Sequence, residues 1–234
     1  MTDQEIYETI MSDNLLQKYV DENNYVRLYR LLKERDSAIK FGELTAFLKA
    51  ADIDILVSGV VPTEAFKDDK SFTEFDFSKI KTIEPSAFEG SGIRKVVLNK
   101  GQEVGIAAFK DSAVEELYLG AGVKVGNAAF ARCKNLKELY VRGDVQLGKL
   151  AFASCRNLEE VAFDDGRNNW PEDLFANVKH IDYVTLPFPH DMNIFDRDIE
   201  IDVLYLNCSR DDYRYTLEEI NREFPRIKDL QFLK

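Results

Sequence analysis

The side chains that most often perform catalysis or bind metals are scarce in this chain of 234 residues. It contains three cysteines, Cys133, Cys155 and Cys208, and two histidines, His180 and His190. Neither histidine has a second metal ligand at helical or hairpin spacing, and the cysteines are odd in number and lack zinc-ligand spacing. We therefore predict a protein with no catalytic residues, no cofactor and no metal. The least favoured alternative is a thiol nucleophile in which His180 activates Cys155 or Cys208.

Motifs that bind phosphate or calcium are also missing from the sequence. Neither the Gly-x-x-x-x-Gly-Lys-Ser/Thr loop nor the Gly-x-Gly-x-x-Gly turn occurs. The segment Asp196-Arg197-Asp198 is too short for a calcium loop. Adjacent carboxylates occur where turns are expected, which favours their interpretation as solvated loop charge. These pairs are Asp68-Asp69, Asp164-Asp165 and Asp211-Asp212.

The formal net charge of −11 argues against binding to nucleic-acid phosphates, which requires a basic surface. The charge is compatible with a basic protein partner or with mimicry of nucleic acid. No apolar segment reaches the ~20 residues of a membrane span, and the acidic N-terminus lacks the pattern of a secretory signal. We therefore predict a soluble, cytoplasmic protein that binds neither nucleic acid nor membrane. A virion or cell-surface location stays open, because a chain trimmed of its signal would have the same sequence.

The elements that position the side chains are copies of a short repeat centred on an Ala-Phe pair. Six copies occur, and their phenylalanines are separated by 21 to 23 residues. A fixed period in this range is the signature of a stacked repeat protein. The strong copies are Ile83–Phe88, Val104–Phe109, Val125–Phe130 and Leu147–Phe152, and the weaker ones are Val61–Phe66 and Trp170–Phe175.

A second pattern has the same period: an apolar residue, two others, an apolar residue, one other, and a third apolar residue. Because the side chains of a strand alternate between its faces, the last two apolar positions point inward and their neighbours point outward. Nine copies, the first and last of them faint, predict nine strands in one parallel sheet. They are Ala50–Ile55, Phe72–Phe77, Ile93–Leu98, Val114–Leu119, Leu136–Val141, Leu158–Phe163, Ile181–Leu186, Ile201–Leu206 and Ile227–Phe232.

Together the two patterns closely resemble the BspA-like class of leucine-rich repeats, whose consensus is I-G-x-x-A-F-x-x-C-x-x-L-x-x-V-x-L. Val125 to Val141 fits this consensus nearly position by position, and Leu147 to Phe163 fits equally well. The resemblance covers residues 61–207. It implies a curved α/β repeat solenoid with the parallel strands on the concave face and the Ala-Phe segments opposite. We expect Cys133 and Cys155 to be buried and stacked on each other, with a disulfide framework as the alternative.

The N-terminal residues 1–50 are predicted to be helical. The segment Ser12-Asp13-Asn14 predicts a break between two helices, because these residues favour helix caps over helix interiors. Further helices are expected from Tyr25 to Leu32 and from Ile39 to Leu48. We interpret this region as a cap over the open end of the solenoid. The alternative is a small, separate helical domain for binding or oligomerisation.

The repeats are predicted to fill residues 51–208, and residues 209–234 are predicted to form a C-terminal cap. In this cap a helix begins at the capping box that starts with Thr216 and ends at Pro225, before the last strand.

Outward-facing residues of the predicted strands form two rows, one rich in glutamate and one rich in tyrosine. Neighbouring strands lie ~4.8 Å apart, so glutamates of successive repeats would face one another, which is unfavourable without a counter-charge. We predict that this acidic face binds a protein partner, since aromatic residues are favoured at interfaces. In the alternative, Arg94, Lys95, Lys137 and Arg142 neutralise the glutamates and nothing binds there. The predicted partner-binding residues are Glu74, Asp76, Glu116, Tyr118, Glu138, Tyr140, Arg142 and Glu160.

The sequence thus favours a non-catalytic protein-interaction module whose partner has a basic surface. One alternative is a structural component of a phage or cell-surface assembly that docks through the helical N-terminus. Another is an acidic inhibitor that mimics nucleic acid. The sequence does not indicate the oligomeric state.

Overall fold

The computed structural model describes residues 3–21, 25–36, 39, 59–70, 72–99, 101–164, 170–187, 194–208, 220, 222 and 226–233. Three helices come first: α1 (Asp3–Met11), α2 (Asn14–Asp21) and α3 (Tyr25–Arg35). Two sets of strands follow. Those of the first set have two residues each: β1 (Val60–Val61), β2 (Thr82–Ile83), β4 (Glu103–Val104), β6 (Lys124–Val125) and β8 (Gln146–Leu147). The longer strands are β3 (Lys95–Leu98), β5 (Glu116–Leu119), β7 (Glu138–Val141), β9 (Glu160–Phe163), β10 (His180–Leu186), β11 (Glu200–Leu206) and β12 (Ile227–Phe232).

The two sets of strands form two sheets of a solenoid. The short strands make a five-stranded sheet in the order β1-β2-β4-β6-β8, and the longer ones make a seven-stranded sheet in the order β12-β11-β10-β9-β7-β5-β3. Every pairing is parallel and joins equivalent positions of neighbouring repeats, for example Leu117 with Leu139 and Leu139 with Val161. The predicted α/β repeat solenoid is confirmed. The register follows from alternation, since a slip by one residue would turn the buried side chains outward.

Seven of the nine predicted strands lie in the seven-stranded sheet. The copy at Ala50–Ile55 lies outside the described residues. The strand predicted at Phe72–Phe77 is wrong, because the described residues of this segment form no strand. Its phenylalanines instead pack around the rings of the adjacent turns, with centroid distances of 5.1 Å for Phe66–Phe72 and 5.2 Å for Phe75–Phe88.

The end of this irregular segment is bent by a side chain. The carboxylate of Asp76 accepts a hydrogen bond of 2.8 Å from the backbone N–H of Ser78. Aspartate commonly turns a chain in this way, by binding a backbone N–H two residues later. The aromatic packing and this bond together account for the missing strand.

The four strong Ala-Phe pairs each lie at the centre of a six-residue turn between a short strand and the next long strand. The turns use left-handed backbone at residues other than glycine, such as Ala107, Ala128 and Arg132 with φ of 53°, 54° and 61°. Successive turns are joined by hydrogen bonds, since the N–H of Phe109 donates to the carbonyl of Ala129 at 2.7 Å. The cost of left-handed φ is thus offset by bonds that run from turn to turn.

The core is a column of phenylalanine rings, one from each turn. Ring centroids are 4.9 Å apart for Phe88–Phe109, 4.8 Å for Phe109–Phe130, 5.9 Å for Phe130–Phe152 and 5.4 Å for Phe152–Phe175. These five side chains are completely buried. Because the repeats are stacked in register, each ring lies on its own copy in the next turn.

Charged side chains on the turns alternate in sign. The ammonium groups of Lys67 and Lys110 each lie 3.3 Å from the carboxylate of Glu89, which comes from the turn between them. Burial raises the pKa of Glu89, but hydrogen bonds from Ser86, Lys67 and Lys110 outweigh it, so that the pKa lies below the ordinary value of 4.5. This row therefore links neighbouring turns.

The helical N-terminus packs on the solenoid. The predicted break is confirmed, because the carboxylate of Asp13 accepts hydrogen bonds from the backbone N–H groups of Leu15 and Leu16, at 2.8 and 3.2 Å. Buried residues of all three helices share one hydrophobic core with the repeats. The Lys33 ammonium of α3 lies 3.5 Å from the Glu64 carboxylate of the first turn. Among the described residues, no helix is long and apolar enough to cross a membrane.

Several expectations fall on parts of the chain that the structure does not describe. Apart from Ile39, the helix predicted from Ile39 to Leu48 lies outside the described residues, and so does most of the C-terminal helix that is predicted to begin at Thr216. The division at residues 50 and 208 stays a prediction.

Candidate interaction surface

The outward side chains of the seven-stranded sheet lie in two rows that the strand register defines. We call these rows the ladder face. Most of the predicted partner-binding residues are brought together here. The first row is Lys95, Glu116, Glu138, Glu160, Tyr183, Val203 and Asp229, and the second is Val97, Tyr118, Tyr140, Ala162, Thr185, Tyr205 and Gln231.

Three of the predicted residues do not join these rows, and one of them, Arg142, directly follows the last residue of β7. Glu74 and Asp76 are exposed but lie in the segment that forms no strand, before the sheet begins at β3. A hydrogen bond from the backbone N–H of Ser78 lowers the pKa of the Asp76 carboxyl. The ladder face therefore starts one repeat later than the sequence pattern predicted.

The glutamates of the first row form a ladder of like charges with one counter-ion among the described residues. Glu116 pairs with Glu138 in the register, and Glu138 pairs with Glu160. The Lys95 ammonium lies 2.5 Å from the carboxylate of Glu116. In the same part of the chain, Glu138 and Glu160 form no ion pair with lysine or arginine. Like charges directly opposite on a sheet are destabilising, so this part of the ladder attracts positive charge.

Most of the basic residues that were expected to neutralise the ladder bind other carboxylates. Their partners lie in a third line of side chains, one residue before the first row, or in a loop. The ion pairs are Arg94–Glu115 at 3.6 Å, Lys137–Glu159 at 2.6 Å and Arg142–Asp164 at 3.9 Å. The predicted neutralisation is therefore confirmed for Lys95, whereas Arg94, Lys137 and Arg142 form their ion pairs with carboxylates outside the ladder. The charge of Lys137 still acts on Glu138 from a distance.

The tyrosines of the second row form an ordered stack. The rings of Tyr118 and Tyr140 are nearly parallel, with an angle of 15° and centroids 4.9 Å apart. The Lys95 ammonium lies 5.1 Å from the centre of the Tyr118 ring. This contact is a cation–π interaction, so the stack has a positive charge at one end.

Burial and nearby carboxylates both raise the pKa of the two tyrosines. Burial is the main reason that the pKa values of Tyr118 and Tyr140 are raised. Nearby carboxylates add to this, most of all Glu160, as hydrogen-bond acceptor for the Tyr140 hydroxyl. Both tyrosines thus stay neutral hydrogen-bond donors beside the glutamates.

A polar cluster on β10, β11 and β12 was missed by the sequence analysis. The His180 ring lies 3.4 Å from Asp182 and 3.1 Å from Asp202, and the Lys228 ammonium lies 2.5 Å from Glu200 and 2.8 Å from Asp202. Partners on different strands of this cluster are at least 22 residues apart in sequence, so helical or hairpin spacing does not connect them. The repeat period is the signal that connects them.

The metal-ligating atoms of this cluster lie near one another. Oxygen or nitrogen atoms of His180, Glu200 and Asp202 lie within 4.8 Å of one another. The Lys228 ammonium already forms ion pairs with two of these residues, Glu200 and Asp202. The arrangement is thus an ion-pair network across three strands.

The cysteines have a structural role. Cys133, Cys155 and Cys208 are buried free thiols. The thiol of Cys133 donates to the carbonyl of Phe109 at 3.1 Å, and that of Cys155 donates to the carbonyl of Phe130 at 3.2 Å. Burial raises the pKa of the Cys155 thiol. Because a nucleophilic cysteine needs access and a lowered pKa, the geometry does not fit a thiol nucleophile.

Comparison with known proteins agrees with this architecture. No curated protein matches the chain significantly. The family model described as BspA type leucine rich repeat region matches six copies in residues 60–187, more than half of the chain. The copies coincide with the stacked turns and strands described above. The chain therefore belongs to the BspA-type leucine-rich repeat family.

Proposed function

We propose that this protein is a non-catalytic interaction module that binds a protein partner through the ladder face. Membership in a leucine-rich repeat family indicates a protein-interaction module. Stacked repeats present an extended, rigid surface, which suits a large partner better than a small substrate. The observation that carries the proposal is a pair of carboxylates, Glu138 and Glu160, that form no direct ion pair with a described lysine or arginine. They lie beside the parallel rings of Tyr118 and Tyr140.

The chemistry of the ladder face favours a partner with a basic surface. Its central carboxylates form no ion pair within the described chain, so a partner's cation would bind them without first displacing a lysine or arginine. Tyrosine is enriched where interfaces bind most strongly, because its ring buries a large area and its hydroxyl keeps a hydrogen bond. Electrostatic attraction would also speed association and make it sensitive to salt.

An affinity pull-down tests the proposal. The wild type is compared, as bait in a lysate of its native host, with the triple variant Tyr118→Ala, Glu138→Gln, Tyr140→Ala. The control variant Glu103→Gln, Ile106→Ala, Leu150→Ala removes one carboxylate and two large exposed side chains from the short-strand sheet and the turns. We expect a partner that the wild type and the control retain and the triple variant loses, with weaker retention at high salt. A partner retained equally by all three baits would show that the ladder face is not the binding site.

A second candidate function is docking into an assembly through the N-terminal helices. Tyr7 and Met11 of α1 and Leu15 of α2 are large apolar side chains with exposed fractions of 46%, 51% and 47%. Tyr7 and Met11 are four residues apart and therefore share a helix face. The variant Tyr7→Ser, Met11→Ser, Leu15→Ser would lose its partner if these helices dock, whereas the ladder-face variant would keep it.

A further inference from the structure

The second row of the ladder face contains a gap beside the tyrosine stack. Tyr118, Tyr140 and Ala162 occupy equivalent positions on β5, β7 and β9. Strands are separated by ~4.8 Å, which is close to the 4.9 Å between the two tyrosine rings. A third ring at residue 162 would continue the stack, but alanine has only a methyl group there. The next residue in the row, Thr185 on β10, is also small.

The face of Tyr140 toward this gap has no ring or cation against it among the described residues, because the aromatic contact of Tyr140 is with Tyr118 on the other side. We call the space the Ala162 slot: its floor is Ala162, its walls are Tyr140 and Thr185, and Glu138 and Glu160 flank it in the first row. The slot thus combines an open aromatic face with two carboxylates that form no direct ion pair with a described lysine or arginine.

The other end of the same stack shows what this combination binds. There the Lys95 ammonium lies 5.1 Å from the centre of the Tyr118 ring and 2.5 Å from the Glu116 carboxylate. Within the described residues, the chain places a cation on one end of the stack and none on the other. The Ala162 end has two flanking carboxylates instead of one.

We propose that the Ala162 slot binds an arginine side chain of the partner, with its guanidinium stacked on Tyr140 and hydrogen-bonded to Glu138 or Glu160. A planar guanidinium matches a slot with the thickness of one ring, and its paired N–H groups match a carboxylate. A lysine ammonium would pair with the carboxylates but would not fill the flat space beside the Tyr140 ring. This inference rests on the proposed function and names the group that the ladder face recognises.

Short peptides test the slot without knowledge of the partner. The probes are acetyl-Gly-Arg-Gly-amide, the same peptide with lysine, and the same peptide with citrulline, which keeps the shape of arginine without its charge. Binding is followed by NMR on protein with labelled tyrosine rings, so that the Tyr140 ring, which the slot variants keep, reports directly. We expect saturable binding of the arginine peptide, on the order of millimolar, about threefold to tenfold weaker binding of lysine, and no binding of citrulline.

Two variants show whether the slot is responsible. Ala162→Leu fills the gap and keeps every charge and both tyrosines. Val97→Leu is the matched control, because it adds one carbon at the opposite end of the same row. We expect Ala162→Leu to weaken arginine binding by at least about threefold, whereas Val97→Leu binds like the wild type. Unchanged binding by Ala162→Leu, or equal binding of the arginine and citrulline peptides, would refute the proposal that the slot binds arginine.

The pull-down separates failure of the slot from failure of the proposed function. A partner that Ala162→Leu retains and the Tyr118, Glu138, Tyr140 triple variant loses would refute the arginine slot and leave the ladder face as the interface. A partner that Ala162→Leu loses and Val97→Leu retains supports both proposals. A partner that the triple variant retains would refute the ladder face itself.

Discussion

The phenylalanine column should dominate the stability of this solenoid, and Phe130 is the position at which to test it. The Phe130 ring is completely buried between Phe109 and Phe152. The centroid of Phe130 lies 4.8 Å from that of Phe109, at an angle of 5°, and 5.9 Å from that of Phe152, at an angle of 24°. Removing the ring would leave a cavity that the turns can close only by breaking their mutual hydrogen bonds.

The expected loss follows from two contributions. Truncation of a buried phenylalanine to alanine costs about 3–5 kcal/mol, which includes the cavity. Each stacked ring pair contributes about 0.5–1.5 kcal/mol beyond its buried area. Phe130→Leu keeps most of the apolar volume and loses both ring pairs, so we expect it to cost about 1–3 kcal/mol. Phe130→Ala also leaves a cavity, so we expect its cost to lie at the upper end of the truncation range, at about 4–5 kcal/mol.

Urea denaturation followed by circular dichroism gives the free energies of unfolding. Ile106→Ala is the control, because this apolar side chain lies on a neighbouring turn but is 57% exposed. We expect it to cost less than about 0.5 kcal/mol. In a chain of this size the loss for Phe130→Ala corresponds to a fall of roughly 8–20 °C in Tm. A cost below about 1 kcal/mol for Phe130→Ala, or one no greater than that of Phe130→Leu, would contradict the column as the main source of stability.

Three further predictions concern the turns and their contacts. Gly126→Ala should lower the free energy of unfolding by about 1–3 kcal/mol in urea titrations, because a Cβ there would lie 2.8 Å from backbone atoms of the preceding repeat. Ala128→Gly should stabilise the fold by less than about 1 kcal/mol. Glycine relieves the strain of the left-handed φ of 54°, but it also gives the unfolded chain more conformational entropy, which offsets part of the gain. Glu89 has a lowered pKa, so its contribution is present above pH 4.5 and disappears as the pH falls through its folded-state pKa. Thermal melts should therefore show a smaller loss of Tm below pH 4.5 for Glu89→Gln than for the wild type.

The sequence predicted the repeats well because two independent patterns agree on one period. Alternation of apolar residues sets which face of a strand is buried, and the spacing of the phenylalanines sets how far apart the strands lie along the chain. The sequence alone therefore places Tyr118 and Tyr140 side by side. When repeats of equal length stack in parallel, equivalent residues of neighbouring strands have to lie next to each other.

The sequence prediction failed where a repeat departs from its own pattern. Phe72, Phe75 and Phe77 have strand spacing, but tertiary contacts with Phe66 and Phe88 determine their conformation instead. Propensity and spacing describe local preference, whereas this aromatic packing depends on rings from two other turns. The counter-ions of the ladder were mispredicted for a related reason. A long basic side chain reaches carboxylates in two adjacent rows, and the spacing in sequence does not determine which of them it pairs with.

The choice between Ala162 and an aromatic residue illustrates the same limit. Both fit an outward position on a strand, and only the assembled row shows that alanine ends a stack of rings. The candidate slot is therefore invisible in the sequence, although the strand pattern places each residue around it.

Parallel repeats in register place each residue on its copy, which stabilises rings and destabilises charges. Glu138 is the residue with like charges on both sides, Glu116 and Glu160. We therefore expect Glu138→Gln to raise the free energy of unfolding by about 0.2–1 kcal/mol at low salt. The gain should vanish in about 1 M salt, where the screening length is about 3 Å.

The same substitution, Glu138→Gln, should weaken partner binding while it raises stability. If Glu138 is kept for recognition, Glu138→Gln should be more stable and bind the partner more weakly, as expected where function opposes stability. Glu103→Gln is the control, because it breaks the ion pair with Lys124, whose ammonium lies 2.8 Å away, and relieves no like-charge contact. Urea titrations at both salt concentrations and pull-downs with the same variants measure the two effects. A Glu138→Gln protein that is less stable than the wild type at low salt would mean that the ladder is already compensated within the chain, and the argument for an external cation would fail with it.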